Sequence, residues 1–228
     1  MSHVIFDMDG TLVDNLELIV RSFNYAVARF VGREFSKGEV FARFGPTLEK
    51  MVAGIVPKED GKRAIARYHE HYRKFFHEYA RTCPGIIELI TALRRANLIT
   101  SVCTGSDRRM TETTLEKSGL RNLFSTVVTA DDVSREKPDP AGLILTMQLA
   151  RTQPTQTIYL GDAARDIEAS KRAGIASAAV LWGFGKEATL RTQAPDYVFD
   201  SPLEALRQFT QLGFDHTMKP NMDSHRKT

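Results

Sequence analysis

Short apolar runs alternate with longer amphipathic stretches in this chain, and the period of the apolar positions changes along its length. Near the N-terminus, Val4-Ile5-Phe6 is an unbroken apolar run and predicts a buried strand over residues 3–6. The strand–helix rhythm then stops. Leu16, Ile19, Phe23, Val27 and Phe30 recur at helical spacing, so a long amphipathic helix is expected to start near Asn15. Ile65, Tyr68, Tyr72, Phe75 and Tyr79 mark one face of a second long helix near 60–80. Gly45-Pro46 punctuates the stretch between them, and no strand pattern occurs from 15 to 80.

From Pro84 onward strands and helices alternate. Residues 84–97 read as a helix with proline at its start, 98–103 as a strand, and 107–118 as a helix ended by Gly119. A strand follows at 126–130, and Asp139-Pro140 opens the next helix. Residues 157–160 form a strand, and helix 165–173 stops at Gly174. The last strands are expected at 178–182 and 197–199. Ser201-Pro202-Leu203-Glu204 has capping-box spacing and starts a final helix. The pattern predicts an α/β fold: a doubly wound, mostly parallel, Rossmann-like sheet with an all-helical insertion. Residues 1–14 and 81–212 would form the core and 15–80 the insertion. Residues 213–228 are polar and aperiodic, and a loosely ordered tail is expected there.

Composition narrows the function classes. At 228 residues and 42% hydrophobic, the chain can bury a real core. Cys83 and Cys103 have no metal or redox spacing. Asp7 and Asp9 cut the first apolar run too early for a signal peptide, and no run reaches the roughly 18 apolar residues of a membrane span. A cytoplasmic protein with reduced thiols and no membrane partner is expected. The net charge is +3, but residues 15–80 hold 12 Lys and Arg against 8 Asp and Glu, while the remainder holds 19 against 20. A basic segment beside an acidic site fits an anionic substrate. No recognition motif supports nucleic-acid binding.

The candidate chemistry sits at the ends of the expected strands. The first strand runs into Asp7-Met8-Asp9-Gly10-Thr11, with two carboxylates at its C-terminal edge and a glycine where the chain turns away. Ligands of open α/β sheets bind at that edge. Paired carboxylates there resist burial without a cation, and hard oxygen ligands suit Mg²⁺. Thr104-Gly105-Ser106 offers a hydroxyl and backbone N–H groups for a phosphoryl oxygen, or simply a helix cap. Lys137 lies among prolines that stiffen its backbone. It could neutralise charge next to the carboxylates, although taken alone it reads as an ordinary exposed lysine. Gly161-Asp162 follows a strand, with Asp166 in the first turn of the next helix. These acids would either complete a metal site or cap the helix.

In order and placement these four segments resemble the haloacid dehalogenase-like superfamily, in its phosphatase branch, over about residues 3–208. Asp7 through Thr11 match its first motif, Thr104 the second, Lys137 the third, and Gly161-Asp162 with Asp166 the fourth. Residues 15–80 resemble the helical cap of that family. Trp182-Gly183-Phe184-Gly185 and Ala194-Pro195-Asp196 resemble its phosphoglycolate phosphatase and pyrophosphatase-like subgroup. The resemblance implies an Mg²⁺-dependent hydrolase of a small, phosphoglycolate-like phosphate monoester. Asp7 would be the nucleophile that forms an aspartyl-phosphate, and Asp9 the general acid and base. Asp7, Asp9 (through its carbonyl) and Asp162 would hold the metal, with Asp166 orienting its waters or Lys137. Thr104, Lys137, Gly10, Thr11, Gly105 and Ser106 would surround the phosphoryl group.

Arg43, Phe44, Gly45, Pro46 and Thr47 form a turn between cap helices. They are either contacts to the leaving group or an ordinary turn. His69, His71 and His77 lack the spacing of a zinc pair and are expected on the polar face of their helix. Cys103 is expected in the core, and Trp182 at the site or in the core. Three alternatives stay open: a sugar-phosphate mutase, an inorganic pyrophosphatase, and a non-catalytic phospholigand-binding module. The assembly is expected to be a monomer or homodimer.

Overall fold

The computed structural model describes residues 1–43 and 47–211. The chain begins with β1 (His3–Phe6) and β2 (Val13–Asp14), then passes through α1 (Leu16–Val31), α2 (Lys37–Phe41), α3 (Leu48–Ala53) and α4 (Gly61–Tyr79). It returns at β3 (Arg81–Thr82) and continues through α5 (Ile86–Arg95), β4 (Ile99–Cys103), α6 (Arg108–Lys117) and β5 (Thr126–Val128). The remaining elements are α7 (Ala141–Ala150), β6 (Thr157–Gly161), α8 (Ala164–Ala173), β7 (Ala176–Val180), α9 (Glu187–Thr192), β8 (Tyr197–Phe199) and α10 (Pro202–Gln211). The sequence-expected tail from 213 lies outside the described residues.

Six strands form one parallel sheet in the order β5-β4-β1-β6-β7-β8. The chain builds outward from β1 on one side and then on the other, so the strand order reverses beside β1 and opens a crevice at its C-terminal end. Alternation along β1 feeds both faces of the sheet. Val4 and Phe6 belong to the larger core, with Leu89 and Leu93 of α5. Ile5 belongs to the opposite one, with Leu143 and Met147 of α7 and Tyr159 of β6. All three β1 apolar residues are fully buried, each contributing about 1.5–3 kcal/mol.

The helical insertion is clamped where it leaves and re-enters. β2 and β3 pair antiparallel, Val13 against Thr82 and Asp14 against Arg81. The Arg81 guanidinium is 3.0 Å from the Asp14 carboxylate. Within the insertion, α1 packs along α4. Phe23 and Val27 share a core with Tyr68, Tyr72 and Phe76.

Three local expectations shift. The fully buried residues of α4 are Ala64, Tyr68, His69, Tyr72 and Phe76, while Ile65, Phe75 and Tyr79 are only half-buried. Phe75 and Tyr79 pack against the edge of the core, with Phe75 4.5 Å from the His71 ring and Tyr79 under Arg21. Thus His69 leaves the expected polar face and is buried. The strand expected at 126–130 ends at Val128, because Thr129 N and Oγ1 donate to Asp132 Oδ2 and turn the chain into a short 3-10 segment. The strand expected at 178–182 lies at 176–180, where small residues with no β signal of their own pair with β6.

Candidate active site

The site is built on the turn after β1. Asp7 N donates to Leu160 O (2.8 Å), so the ladder with β6 continues one residue past the strand and fixes the Asp7 backbone. Met8 O then accepts from Thr11, Leu12 and Val13 N, and Gly10 N donates to Val13 O. This tight turn needs φ +79° at Gly10, a region that L side chains avoid. A Cβ there would also lie 2.3 Å from Asp162 Oδ2. The glycine therefore serves both the turn and the approach of the fourth motif to the first.

Alternation puts Asp7 on the Ile5 side of the sheet, the side of Tyr159. Lys137 reaches in from the loop before α7. Its Nζ donates to Asp7 Oδ1 (2.9 Å), Asp166 Oδ1 (2.6 Å) and Tyr159 Oη (2.8 Å). Tyr159 Oη in turn donates a hydrogen bond to Cys103 O (2.8 Å). The Lys137 side chain is only 7% exposed, so it is no surface lysine. Burial by itself would lower its pKa, but Asp166 and Asp7 outweigh burial and raise it, keeping the ammonium charged. Asp166 also accepts from Ala163 N (2.9 Å), which caps α8. Both of its oxygens are thus engaged, one by Lys137 and one by the cap.

Asp162 sits on the other flank of Asp7. Its Oδ2 accepts from Phe184 N (2.6 Å). The loop after β7 wraps it so closely that a Cβ on Gly185 would lie 1.9 Å from Asp162 O. This packing explains the glycines around Phe184. Trp182 donates its indole N–H to Thr11 O (2.9 Å) and ties the same loop to the first motif. Carboxylate oxygens of Asp7, Asp162 and Asp166 lie within 4.8 Å of one another, all buried. Burial pushes the Asp162 carboxyl up to about 8, with Asp7 and Asp166 adding to the rise. Burial likewise pushes Asp7 up to about 6, against the pull of Lys137. Lys137 bonds Asp7 and Asp166 but not Asp162. A buried, all-oxygen cluster with one lysine among three carboxylates fits a hard divalent cation such as Mg²⁺.

The Asp9 carboxylate is outside that cluster. Oδ1 accepts from Asn15 Nδ2 and Oδ2 from Ser106 Oγ, both at 2.5 Å. Its pKa is raised by burial, in spite of those two bonds. It is a held, desolvated carboxyl aimed at the space above Asp7, which suits proton transfer rather than side-chain metal ligation. Asn15 Nδ2 also donates to Tyr72 Oη of α4 (2.7 Å), and Tyr72 shares a bond with Thr114 of α6 (2.9 Å).

A cavity of about 410 Å³ opens above this edge, between the helical insertion and the sheet. Asp7, Asp9, Thr104, Gly105, Ser106 and Asp162 form its floor. Gly10 and Thr11 support the floor from below; Thr11 is fully buried and its Oγ1 has no hydrogen-bond partner. Two expected leaving-group contacts do not line the cavity. Arg43 donates to Glu39 O (2.7 Å) and lies 4.9 Å from the Phe35 ring centre. Thr47 precedes α3, and its N–H donates to Glu136 Oε1 (3.3 Å). Phe44, Gly45 and Pro46 of the same turn lie outside the described residues.

Arg165, Asn15 and Tyr159 join the site without having been singled out in the sequence. Arg165 lines the cavity and its Nε is buried with no hydrogen-bond partner. Its charge acts on both Asp9 and Lys137. A signal for it did exist: it lies inside the fourth motif, one residue before Asp166. Asn15 and Tyr159 carried none beyond their neighbourhood. Cys103 is buried in the core on the Ile5 side, as expected. His69 Nε2 lies 3.5 Å from Asp107 Oδ2. Burial lowers His69 to about 4 and raises Asp107 to about 6. At neutral pH the pair is therefore a neutral imidazole beside a carboxylate, not an ion pair.

Comparison with known proteins places this geometry. Residues 4–180 match the family model described as haloacid dehalogenase-like hydrolase. A pyrophosphatase of Bacillus velezensis is 30% identical over 207 residues, covering 89% of this chain and 94% of its own. A haloacid dehalogenase-like family hydrolase from Streptococcus pneumoniae superposes with a TM-score of 0.76 at 27% identity, over 92% of this chain and 98% of its own. A predicted phosphoglycolate phosphatase from Haemophilus somnus shares the fold, with a TM-score of 0.83 at 23% identity over 91% and 97% of the two chains. With its motifs gathered at one sheet edge, the chain belongs to the haloacid dehalogenase-like hydrolases, as a phosphatase.

Proposed function

We propose that the protein is an Mg²⁺-dependent hydrolase of small phosphate monoesters that works through an aspartyl-phosphate. The observation that carries this reading is the Asp7 carboxylate at the end of the central strand, held by Lys137 and flanked by Asp162 beneath the cavity. Asp7 attacks phosphorus in line, forming an O–P bond as the P–O bond to the leaving group breaks. Asp9, presented by Asn15 and Ser106, donates a proton to the departing oxygen. It then takes a proton from the water that attacks phosphorus and frees Asp7. Lys137 and the backbone around Thr104 to Ser106 hold the nonbridging oxygens, and Arg165 adds positive charge on the same side. Asp7, Asp162 and the carbonyl of Asp9 would hold Mg²⁺, with Asp166 behind them fixing Lys137. When bound, Mg²⁺ supplies charge that offsets repulsion between the carboxylate and the phosphoryl group.

Residues 1–14 and 81–212 act as the catalytic core and 15–80 as a cap that shelters the reaction. The partner is a small phosphorylated substrate, not nucleic acid or membrane. Among the described residues no helix is long and apolar enough to cross a membrane. The protein works in the cytoplasm as a monomer or homodimer. The pyrophosphatase relatives support inorganic pyrophosphate as a second candidate substrate. The test is phosphate release from phosphomonoesters and pyrophosphate, with and without Mg²⁺, by wild type and Asp7→Asn. Release that requires both Mg²⁺ and Asp7 is expected. Full activity of Asp7→Asn would end the scheme.

A further inference from the structure

The two walls of the cavity differ in chemistry. Its floor is polar and charged. The roof is contributed by the helical insertion through Ile19, Phe41, Leu48, Met51 and Tyr68. Among the described residues, every side chain that the insertion adds to the cavity is apolar or aromatic. This is unexpected in the most basic stretch of the chain, and two cations adjoining the roof residues in sequence are turned elsewhere. Lys50 of α3 points to Glu136 (2.7 Å), and Arg43 to Glu39 O and the Phe35 ring. From the core side, Met110 and Phe184 extend the apolar surface. Among the described residues, the cationic lining comes from the core, as Arg165 and Lys186. Arg165 lines the cavity from the first turn of α8, between Asp162 and Asp166 in the chain and so beside the carboxylate cluster, and Lys186 is exposed.

We infer that the leaving group is an alcohol with an apolar, preferably aromatic, carbon body, so that the substrate is a hydrophobic phosphate monoester rather than pyrophosphate or phosphoglycolate. This rests on the phosphomonoesterase reading above. A leaving group with its own phosphate or carboxylate would have to shed water against Ile19, Leu48 and Met51 with no cation among the described roof residues to receive it. An apolar body gains from the same surface. The size agrees: a cavity of about 410 Å³ lies in the range of about 300–1,000 Å³ that takes organic ligands. It leaves ample room beyond a phosphoryl group.

The test compares three substrates at saturating Mg²⁺: 2-phenylethyl phosphate, phosphoglycolate and pyrophosphate. The first two are both alkyl monoesters, so their difference reads the pocket. Wild type is expected to show kcat/KM at least tenfold higher for 2-phenylethyl phosphate than for either anion. Leu48→Lys and Met51→Lys are each expected to cut the ratio of 2-phenylethyl phosphate to phosphoglycolate by about tenfold or more. A ratio measured within one preparation is insensitive to partial loss of folded enzyme. Asp7-dependent release with either anion ahead, or ratios unmoved by both substitutions, would overturn the inference and leave the phosphatase reading standing. No release from any of the three, or release that survives Asp7→Asn, would overturn that reading and the inference with it.

Discussion

The floor and the roof of the cavity are organised on opposite principles. The floor is a chain of charges in low dielectric: Asp162, Asp7, Lys137 and Asp166 within hydrogen-bond or ligand range, each buried and each dependent on the others. The roof is apolar and touches the floor's machinery through single polar threads. Tyr72 reaches Asn15 and through it Asp9, while Lys50 reaches Glu136 next to Lys137. Groups that perform phosphoryl chemistry tolerate little variation in type or position, since their energies come from short-range charge. A surface that recognises a leaving group by burial needs only shape and hydrophobicity, and its residues can change without breaking the reaction. This difference explains how one set of motifs serves relatives bearing different substrate names.

The comparison breaks most readily at Lys137. Lys137→Met leaves Asp7 and Asp166 buried without their shared cation. A loss of about 3–5 kcal/mol of stability is expected in urea denaturation, together with loss of turnover. A stability change below about 1 kcal/mol would show that the floor is not the coupled unit described here.

Metal addition is the next largest effect, and its pH dependence has a defined sign. Asp162 is raised to about 8 and Asp7 to about 6 when buried, so the folded chain keeps protons that the unfolded chain has already lost. Without metal, the contribution of this cluster to stability therefore falls as pH rises from about 4 to about 8, and levels off above. Mg²⁺ takes the deprotonated carboxylates and binds only the folded state, so its stabilising increment grows with pH. The rise in melting temperature on adding Mg²⁺ should be larger near pH 8 than near about pH 5. An equal rise at both would place the ion somewhere other than this cluster.

The smallest effect is expected at the contact between roof and floor. Lys50 is 64% exposed, so its bond to Glu136 contributes only about 0.2–1 kcal/mol. Lys50→Ala should leave the melting temperature nearly unchanged and alter kcat/KM by no more than a few fold. A tenfold or larger loss would make Lys50 part of the machinery rather than of the roof.

Much of the fold follows from local signals. The apolar run before Asp7, the glycine and proline punctuation after Pro84, and the helical spacing over 16–30 correspond to β1, the alternating elements and α1. The motif aspartates were legible because carboxylates at strand ends point to such chemistry, whereas Lys137, which read alone as an exposed lysine, was legible only through the family resemblance. Three kinds of information were not local. Strand β7 is specified by pairing with β6, since Ala176 and Ser177 have little strand preference of their own. The buried face of α4 depends on what α1 and α6 present to it, which put His69 inside and left Phe75 half-buried at the core's edge. The roles of Asn15, Tyr159 and Arg165 exist only once distant segments meet at one sheet edge.

By itself, then, the sequence determined the element order and which motif residues are candidates for the chemistry, because periodicity and motif spacing act over a few residues. Tertiary structure decided which carboxylates share a cation, why Gly10 and Gly185 must be small, and that the roof over the site is apolar. Those outcomes rest on burial and on distances of a few ångströms between residues far apart in the chain, and no local pattern encodes them.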